Sequence, residues 1–329
     1  MLNIMRLKHL ITLLFCIFFY TLNAQKNNTV SATNTGFKII PLGVKGGLDE
    51  ANLSAYLVAK NGTDNYICLD AGTINAGLKM ALKNSLFNES SAEEIQKKNI
   101  KAYFISHGHL DHLAGLVLNA PNDIAKPVYA FGSVIDVLKN NYFTWKSWAN
   151  FANEGDKPIL NKYTYQPLTE AKEISIPNTE LYVTPYSLSH VNPYESSAFL
   201  VRQNLDYILY LGDTGADTVE KSNKLNLLWK AIAPLIKENK LKGIFIEVSF
   251  DNSIPDKSLF GHLTPMLLMQ ELNSLNNLAG RNLKSVNIIV THIKPCDNCE
   301  PTIKKQIMDA NKLGLSIIYP EQGVGFDLK

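Results

Sequence analysis

The stretch "NIKAYFISHGHLDH", residues 99–112, constrains the fold more than any other part of the chain. It opens as an apolar run of strand composition and closes with three histidines and an aspartate within seven residues. "IKAYFI" keeps no polar face for water, the pattern of a strand covered on both sides. The chain therefore needs layers on each face of its sheet. The polar residues arrive only where the strand stops, and ligand sites of layered α/β proteins gather at such strand ends.

Other apolar runs end the same way. Asp70 follows "NYICL", His190 follows "YVTPYSLS", and Asp213 follows "YILYLG". Glu247 closes "GIFIE", and His292 follows "NIIVT". Between the strands, "TINAGLKMALKNSL", "SAEEIQKKN", "SVIDVLKNNYF", "VEKSNKLNLLWKAIAPLIKENK" and "TPMLLMQELNSLNNLAG" read as helices, the last closed by Gly280. No Pro/Gly/Ser-rich linker interrupts residues 37–329, which predicts a single α/β domain.

Residues 1–24 have the layout of a secretory signal peptide. Arg6 and Lys8 precede the apolar run "LITLLFCIFFYTL", and Ala24 offers a small residue for cleavage. The run is short for a bilayer span, which takes about 20 residues. An uncleaved anchor is the rival reading. Residues 25–36 form a polar N-terminal segment. The expectation is export to the periplasm or beyond, with no stable membrane association after cleavage. Arg6 and Lys8 also account for the whole formal charge of +2, so the chain beyond the signal is formally neutral. Nothing in that balance steers it toward a nucleic-acid polymer.

Cys16 leaves with the signal. Cys68 reads as a small buried hydrophobe inside a strand. Cys296 and Cys299 in "CDNC" have no second pair with which to build a zinc ribbon. In an oxidising compartment they fit a short-loop disulfide. A redox motif and an incidental pair are the alternatives.

His107 and His109 lie two apart and can grip one cation. Asp111 and His112 follow at once and can reach a second. Imidazole and carboxylate suit zinc, with manganese or iron as alternatives. Taken singly, His190 or His292 is explained as a strand cap and Asp213 as the start of a turn. Together they complete two sites: His107, His109 and His190 for one metal, Asp111, His112 and His292 for the other, with Asp213 bridging. Such a pair of divalent cations serves hydrolysis.

"HGHLDH", followed in order by His190, Asp213 and His292, resembles the signature of the metallo-β-lactamase fold superfamily. The resemblance implies a four-layer αββα sandwich with metals at one edge of its two sheets. It also implies that Asp70, in "LDAG", supports the histidine loop without touching metal, and that Asp111 orients the attacking hydroxide. Glu247 and His262, in "GIFIEVSFDNSIPDKSLFGHLTP", add a carboxylate-held histidine suited to protonating an alkoxide leaving group. Their bland alternative is a buried ion pair and a helix cap.

With "GHLTP" and "THIKP", the chain is most similar to the class II 3′,5′-cyclic-nucleotide phosphodiesterases. "GHLTP" departs from the His-Ser-Thr of the tRNA 3′-processing endonucleases. The resemblance implies a cyclic-nucleotide substrate (cyclic AMP, cyclic GMP or both). A hydroxide bridging two metals would open the ring to a 5′-monophosphate, with His262 as proton donor to the 3′ oxygen. The alternative is another hydrolase of this fold, acting on a different phosphodiester, a lactam, a lactone or a thioester. A non-catalytic module would require broken ligand sets, and all seven positions are filled. The aromatic stretch Tyr142, Phe143, Trp145, Trp148 and Phe151 reads as a face packed on the core or on a second copy in a homodimer. A base-stacking platform is its alternative.

Overall fold

A computed structural model describes residues 35–329, which form one compact unit. The expected export signal and all but the last two residues of the polar segment lie outside the described residues.

The first half of the unit contains β1 (Phe37–Gly43), β2 (Ala55–Lys60), β3 (Tyr66–Leu69), α1 (Asn75–Lys83), α2 (Ala92–Asn99) and β4 (Ile100–Phe104). It continues with α3 (Leu110–Asn119), β5 (Lys126–Ala130), α4 (Gly132–Val137) and β6 (Tyr163–Pro167). The second half contains β7 (Ile174–Ile176), β8 (Leu181–Ser189), β9 (Glu195–Gln203), β10 (Asp206–Leu211), α5 (Asp217–Glu220) and α6 (Lys224–Lys237). Then come β11 (Leu241–Glu247), α7 (Pro265–Leu278), β12 (Asn287–Thr291), α8 (Cys299–Ala310), β13 (Ser316–Ile318) and β14 (Phe326–Leu328).

The strands make two seven-stranded sheets, ordered β14-β1-β2-β3-β4-β5-β6 and β13-β12-β11-β10-β9-β8-β7. Their inner faces meet in one apolar layer containing Tyr56, Val58, Phe104, Phe199, Tyr210 and Phe245. The outer face of the first sheet packs under α1, α2 and α3 through Leu57, Tyr103, Leu78, Ile95 and Leu116. The outer face of the second packs under α6, α7 and α8 through Ile244, Ile288, Trp229, Leu272 and Ile303. This is the expected αββα sandwich. Strands covered on both faces explain why their sequences show so little alternation.

β3, β4 and β5 run parallel, as do β10, β11 and β12. Their carboxyl ends therefore point to the same edge of their sheet. Two helix assignments change. The run read as one helix through Val219–Lys240 breaks at Lys221, which is left-handed, so α5 and α6 are separate. The histidine stretch is also more ordered than a loop: His109 caps α3, and Asp111 and His112 occupy its first turn. A carboxylate there sits favourably against the positive end of the helix.

Cys296 and Cys299 are disulfide-bonded, and Cys68 is free and buried. Phe143 is fully buried in the core, and Tyr142, Trp148 and Phe151 pack against it. Trp145 stands exposed. The aromatic stretch is thus mainly core. Among the described residues no helix is long and apolar enough to cross a membrane.

Candidate metal centre

The strand ends converge. Ligand atoms of His107, His109, His190 and Asp213 lie within 4.8 Å of one another, and so do those of Asp111, His112, Asp213 and His292. Asp213 belongs to both groups, as the sequence pattern anticipates. A third group joins Glu247, His262 and His292. His262 thus stands against the second cluster, with its ring stacked 5.3 Å from that of His292. All ten residues read from the sequence as site residues, Asp70 included, come together at this edge.

His107, His112 and His190 are each oriented by a neighbour on the outward nitrogen. Asp70 is fully buried after β3 and accepts four hydrogen bonds. Two come from Ser106, through its N–H at 2.7 Å and its hydroxyl at 2.8 Å. One comes from His112 Nδ1 at 2.7 Å and one from Tyr210 at 2.7 Å. Ser106 spends its one hydroxyl proton on Asp70, so its oxygen accepts from His107 Nδ1 at 3.0 Å. His190 Nδ1 donates to the Gly261 carbonyl at 2.9 Å. His107, His112 and His190 are each left with Nε2 facing the centre. His107 Nε2 and His190 Nε2 approach His109 Nδ1 at 3.1 and 3.3 Å. Partners that fix the tautomer in this way hold an imidazole ready for a metal.

The backbone is bent to place them. Asp70 and His292 both have positive φ, 53° and 59°. Non-glycine residues in that region are uncommon and concentrate at functional sites. Gly46 lies under the His292 ring, where any Cβ would overlap the imidazole. Gly261, at φ 75°, lets the loop press against His190, and Thr264 then caps α7 with Pro265 in its first turn. That is the structural content of "GHLTP".

The electrostatics are those of a cation site. Burial and the neighbouring histidines hold His107 well below its ordinary value and bring His109 down to about 4. Burial likewise lowers His190. For His112 burial acts in the same direction, but Asp213, Asp70 and Asp111 outweigh it and raise the ring well above its ordinary value. Burial works against the charged form of Asp213, yet the surrounding imidazoles keep it well below the usual carboxylate range. His112 Nε2 and Asp213 Oδ1 are 3.2 Å apart, buried, and each without a hydrogen-bond partner. Buried orphans of this kind are costly. A divalent cation between imidazole and carboxylate satisfies both, and the donor set of nitrogen and carboxylate oxygen fits zinc, manganese or iron.

Beside the clusters, His262 Nδ1 meets Glu247 Oε1 at 2.7 Å. Glu247 is fully buried and is further held by the Thr214 N–H at 3.2 Å, the Ser249 hydroxyl at 2.6 Å and the Leu263 N–H at 3.4 Å. Burial opposes its charge, and His262 overcomes that and lowers its pKa. His262 is raised in turn, because Glu247 outweighs burial.

Ser106, Ser249 and Tyr194 escaped the sequence reading, and Tyr142 entered it only as part of an aromatic face or base-stacking platform. Ser106 and Ser249 are the oxygen links just described. Tyr194 and Tyr142 clasp the peptide between the first two histidines: the Gly108 N–H donates to Tyr194 Oη at 3.1 Å, and Tyr142 donates to the Gly108 carbonyl at 3.1 Å. Tyr194 also stacks on His109, centroids 5.1 Å apart.

The family model for class II cAMP phosphodiesterases matches residues 33–323. The chain belongs to this family. It is 40% identical to a 3′,5′-cyclic-nucleotide phosphodiesterase of Aliivibrio fischeri, over 89% of this chain and 93% of that one. A cAMP/cGMP-dependent 3′,5′-cAMP/cGMP phosphodiesterase A of Dictyostelium discoideum is 30% identical over 90% and 82%. The fold of this phosphodiesterase is similar to that of unliganded yeast PDE1, with TM-score 0.76 at 23% identity, over 89% of this chain and 100% of that chain. It is also similar to the metallo-β-lactamase fold protein YhfI of Bacillus subtilis, with TM-score 0.59 at 15% identity, over 89% and 99%.

Proposed function

We propose that this phosphodiesterase hydrolyses 3′,5′-cyclic nucleotides, cyclic AMP or cyclic GMP, to nucleoside 5′-monophosphates. The carrying observation is the Glu247–His262 pair, closed at 2.7 Å and set against the clusters of metal-ligating groups. A site that only activated water would have no use for it. Expelling a ribose alkoxide requires a proton, and a histidine gripped through Nδ1 presents Nε2 to deliver one.

His107, His109 and His190 would hold one divalent cation and Asp111, His112 and His292 another, with Asp213 shared and zinc the first candidate. Such a pair, when bound, acidifies water and neutralises charge on phosphoryl oxygens. The residues do the rest. Asp70 fixes His112 directly and His107 through Ser106. Asp111 orients the incoming hydroxide by accepting its proton in a hydrogen bond. As the P–O3′ bond breaks, His262 Nε2 gives its proton to the 3′ oxygen, and Glu247 stabilises the imidazolium beforehand. The hydroxide gained by phosphorus and the proton gained by O3′ together make up one water.

The relatives' activities and the family match support the substrate class. The test is an assay of the purified, metal-supplemented chain with cyclic AMP, cyclic GMP, a generic phosphodiester and a β-lactam. The expected result is a 5′-monophosphate, abolished by chelation and restored by added cation. Hydrolysis of the β-lactam alone would overturn the reading. We also propose export with cleavage after Ala24, supported by the basic and apolar pattern of residues 1–24. Mass spectrometry of the cell-derived protein reads this directly, since a retained residue 1 contradicts it.

A further inference from the structure

We infer that Ser249 is a positioning residue that sets the tautomer of His292 and ties the proton-donating pair to the second cation group. The inference rests on the metal reading of the site.

The protons around one buried oxygen can be counted. Ser249 is fully buried, and its Oγ lies 2.6 Å from Glu247 Oε2, 2.8 Å from His292 Nδ1, 3.2 Å from His262 Nδ1 and 3.2 Å from the His292 carbonyl. A hydroxyl has one proton to give and two lone pairs. Of the possible acceptors, the ionised carboxylate is nearest, and charge-assisted O–H···O⁻ bonds are the short, strong ones. The proton therefore goes to Glu247. His262 Nδ1 directs its own proton to Glu247 Oε1 at 2.7 Å. The lone pair of Ser249 then faces His292 Nδ1, which must carry the proton. His292 Nε2 remains, pointed at Asp111 Oδ2 at 3.1 Å and Asp213 Oδ2 at 3.2 Å. Two carboxylate oxygens opposite that nitrogen mark the place for a cation.

The opposite corner of the site repeats the device. There a buried carboxylate, Asp70, takes the proton of Ser106, and Ser106 accepts from His107 Nδ1. Each carboxylate also grips a second histidine directly, His112 for Asp70 and His262 for Glu247. The two wedges differ in one respect. The histidine held by Asp70 is a cation ligand, whereas the one held by Glu247 is the proton donor. Ser249 thus joins cation binding at His292 to the group that protonates the leaving oxygen, and removing its hydroxyl frees His292 to rotate or to exchange tautomers.

The test uses the full chain and Ser249→Ala, with Ser249→Thr as the hydroxyl-retaining control. Zinc titration against a chromophoric chelator resolves the two cations, and ¹⁵N NMR of His292 in the metal-free protein reads the protonated nitrogen. Expected for Ser249→Ala are one cation weakened about 10–100-fold, the other unchanged, and a mixed His292 tautomer, with a single cooperative melt at a somewhat lower temperature. Excess zinc should restore occupancy, and Ser249→Thr should behave as the parent. If both cations weaken equally, Ser249 is merely structural and the inference falls. It also falls if the parent's His292 carries no proton on Nδ1, or if Ser249→Ala holds both cations as the parent does. A parent that binds no cation pair would instead sink the metal reading itself, so the two failures are distinguishable.

Discussion

Removing the proton donor should hurt one class of substrate far more than another. His262→Ala deletes the ring that Glu247 holds at 2.7 Å. General acid catalysis contributes about 10²–10⁴-fold, which at about 1.36 kcal/mol per decade is about 3–5 kcal/mol of barrier. That loss should appear in kcat with cyclic AMP. A 4-nitrophenyl phosphodiester departs as a stable phenolate and needs no proton, so its loss should stay below about tenfold. The variant leaves Glu247 buried without its cationic partner, and breaking such a pair costs about 3–5 kcal/mol of stability. The cost should fall at the low end, because Thr214, Ser249 and Leu263 still donate to the carboxylate. Parallel assays on both substrates, with metal content by mass spectrometry and a thermal melt, separate the effects. Equal losses on the two substrates, at unchanged metal content, would refute the donor role.

The pH profile follows from the same pair. His262 titrates above its ordinary 6.5, so the basic limb of kcat/KM should lie above pH 6.5. Glu247→Gln removes the raising charge and leaves burial, so the limb should move down and activity at pH 8 should fall more than at pH 6. In stability, the raised His262 helps fully below pH 6.5 and loses that help as pH climbs through its folded value. The depressed Glu247 helps above pH 4.5 and loses it as pH falls through its folded value. Chemical denaturation between pH 4 and 9 should therefore show a flatter curve for Glu247→Gln. Asp70→Asn puts an amide where four donors converge; it should weaken cation binding about 10–100-fold and stability by about 1–3 kcal/mol, read by chelator competition and melting. Gly46→Ala sets a methyl against the His292 ring. It should cost occupancy of the Asp111–His112–His292 group, measured as metal stoichiometry, with the His107 group retained.

The legible part of the site was the part written in rare residues at strand ends. Histidine and aspartate after an apolar run have few bland explanations when several runs agree, so the positions of Asp70, His107, His190, Asp213 and His292 are legible in the sequence alone. The sandwich was legible for the same reason, because strands such as "IKAYF" and "GIFIE" leave no face for water. What stayed hidden depends on distant pairing. β14 joins the first sheet by pairing with β1 from the far end of the chain, and its three residues carry no signal alone. Tyr194 reaches Gly108 across 86 positions.

Ser106 and Ser249 stayed hidden for a different reason. A serine beside a strand end has many ordinary uses, and only the geometry reveals that its single proton is already committed to a carboxylate. Each nevertheless sits within two residues of a group that was recognised, Ser106 before His107 and Ser249 after Glu247. A ligand histidine usually takes a partner on its far nitrogen. Backbone carbonyls supply some, as Gly261 does for His190. Where a ligand has no carbonyl or carboxylate of its own, a hydroxyl backed by a buried carboxylate is the remaining chemistry that gives a fixed tautomer. The same rule that makes the histidines conspicuous therefore points, one step further, to the serines that aim two of them.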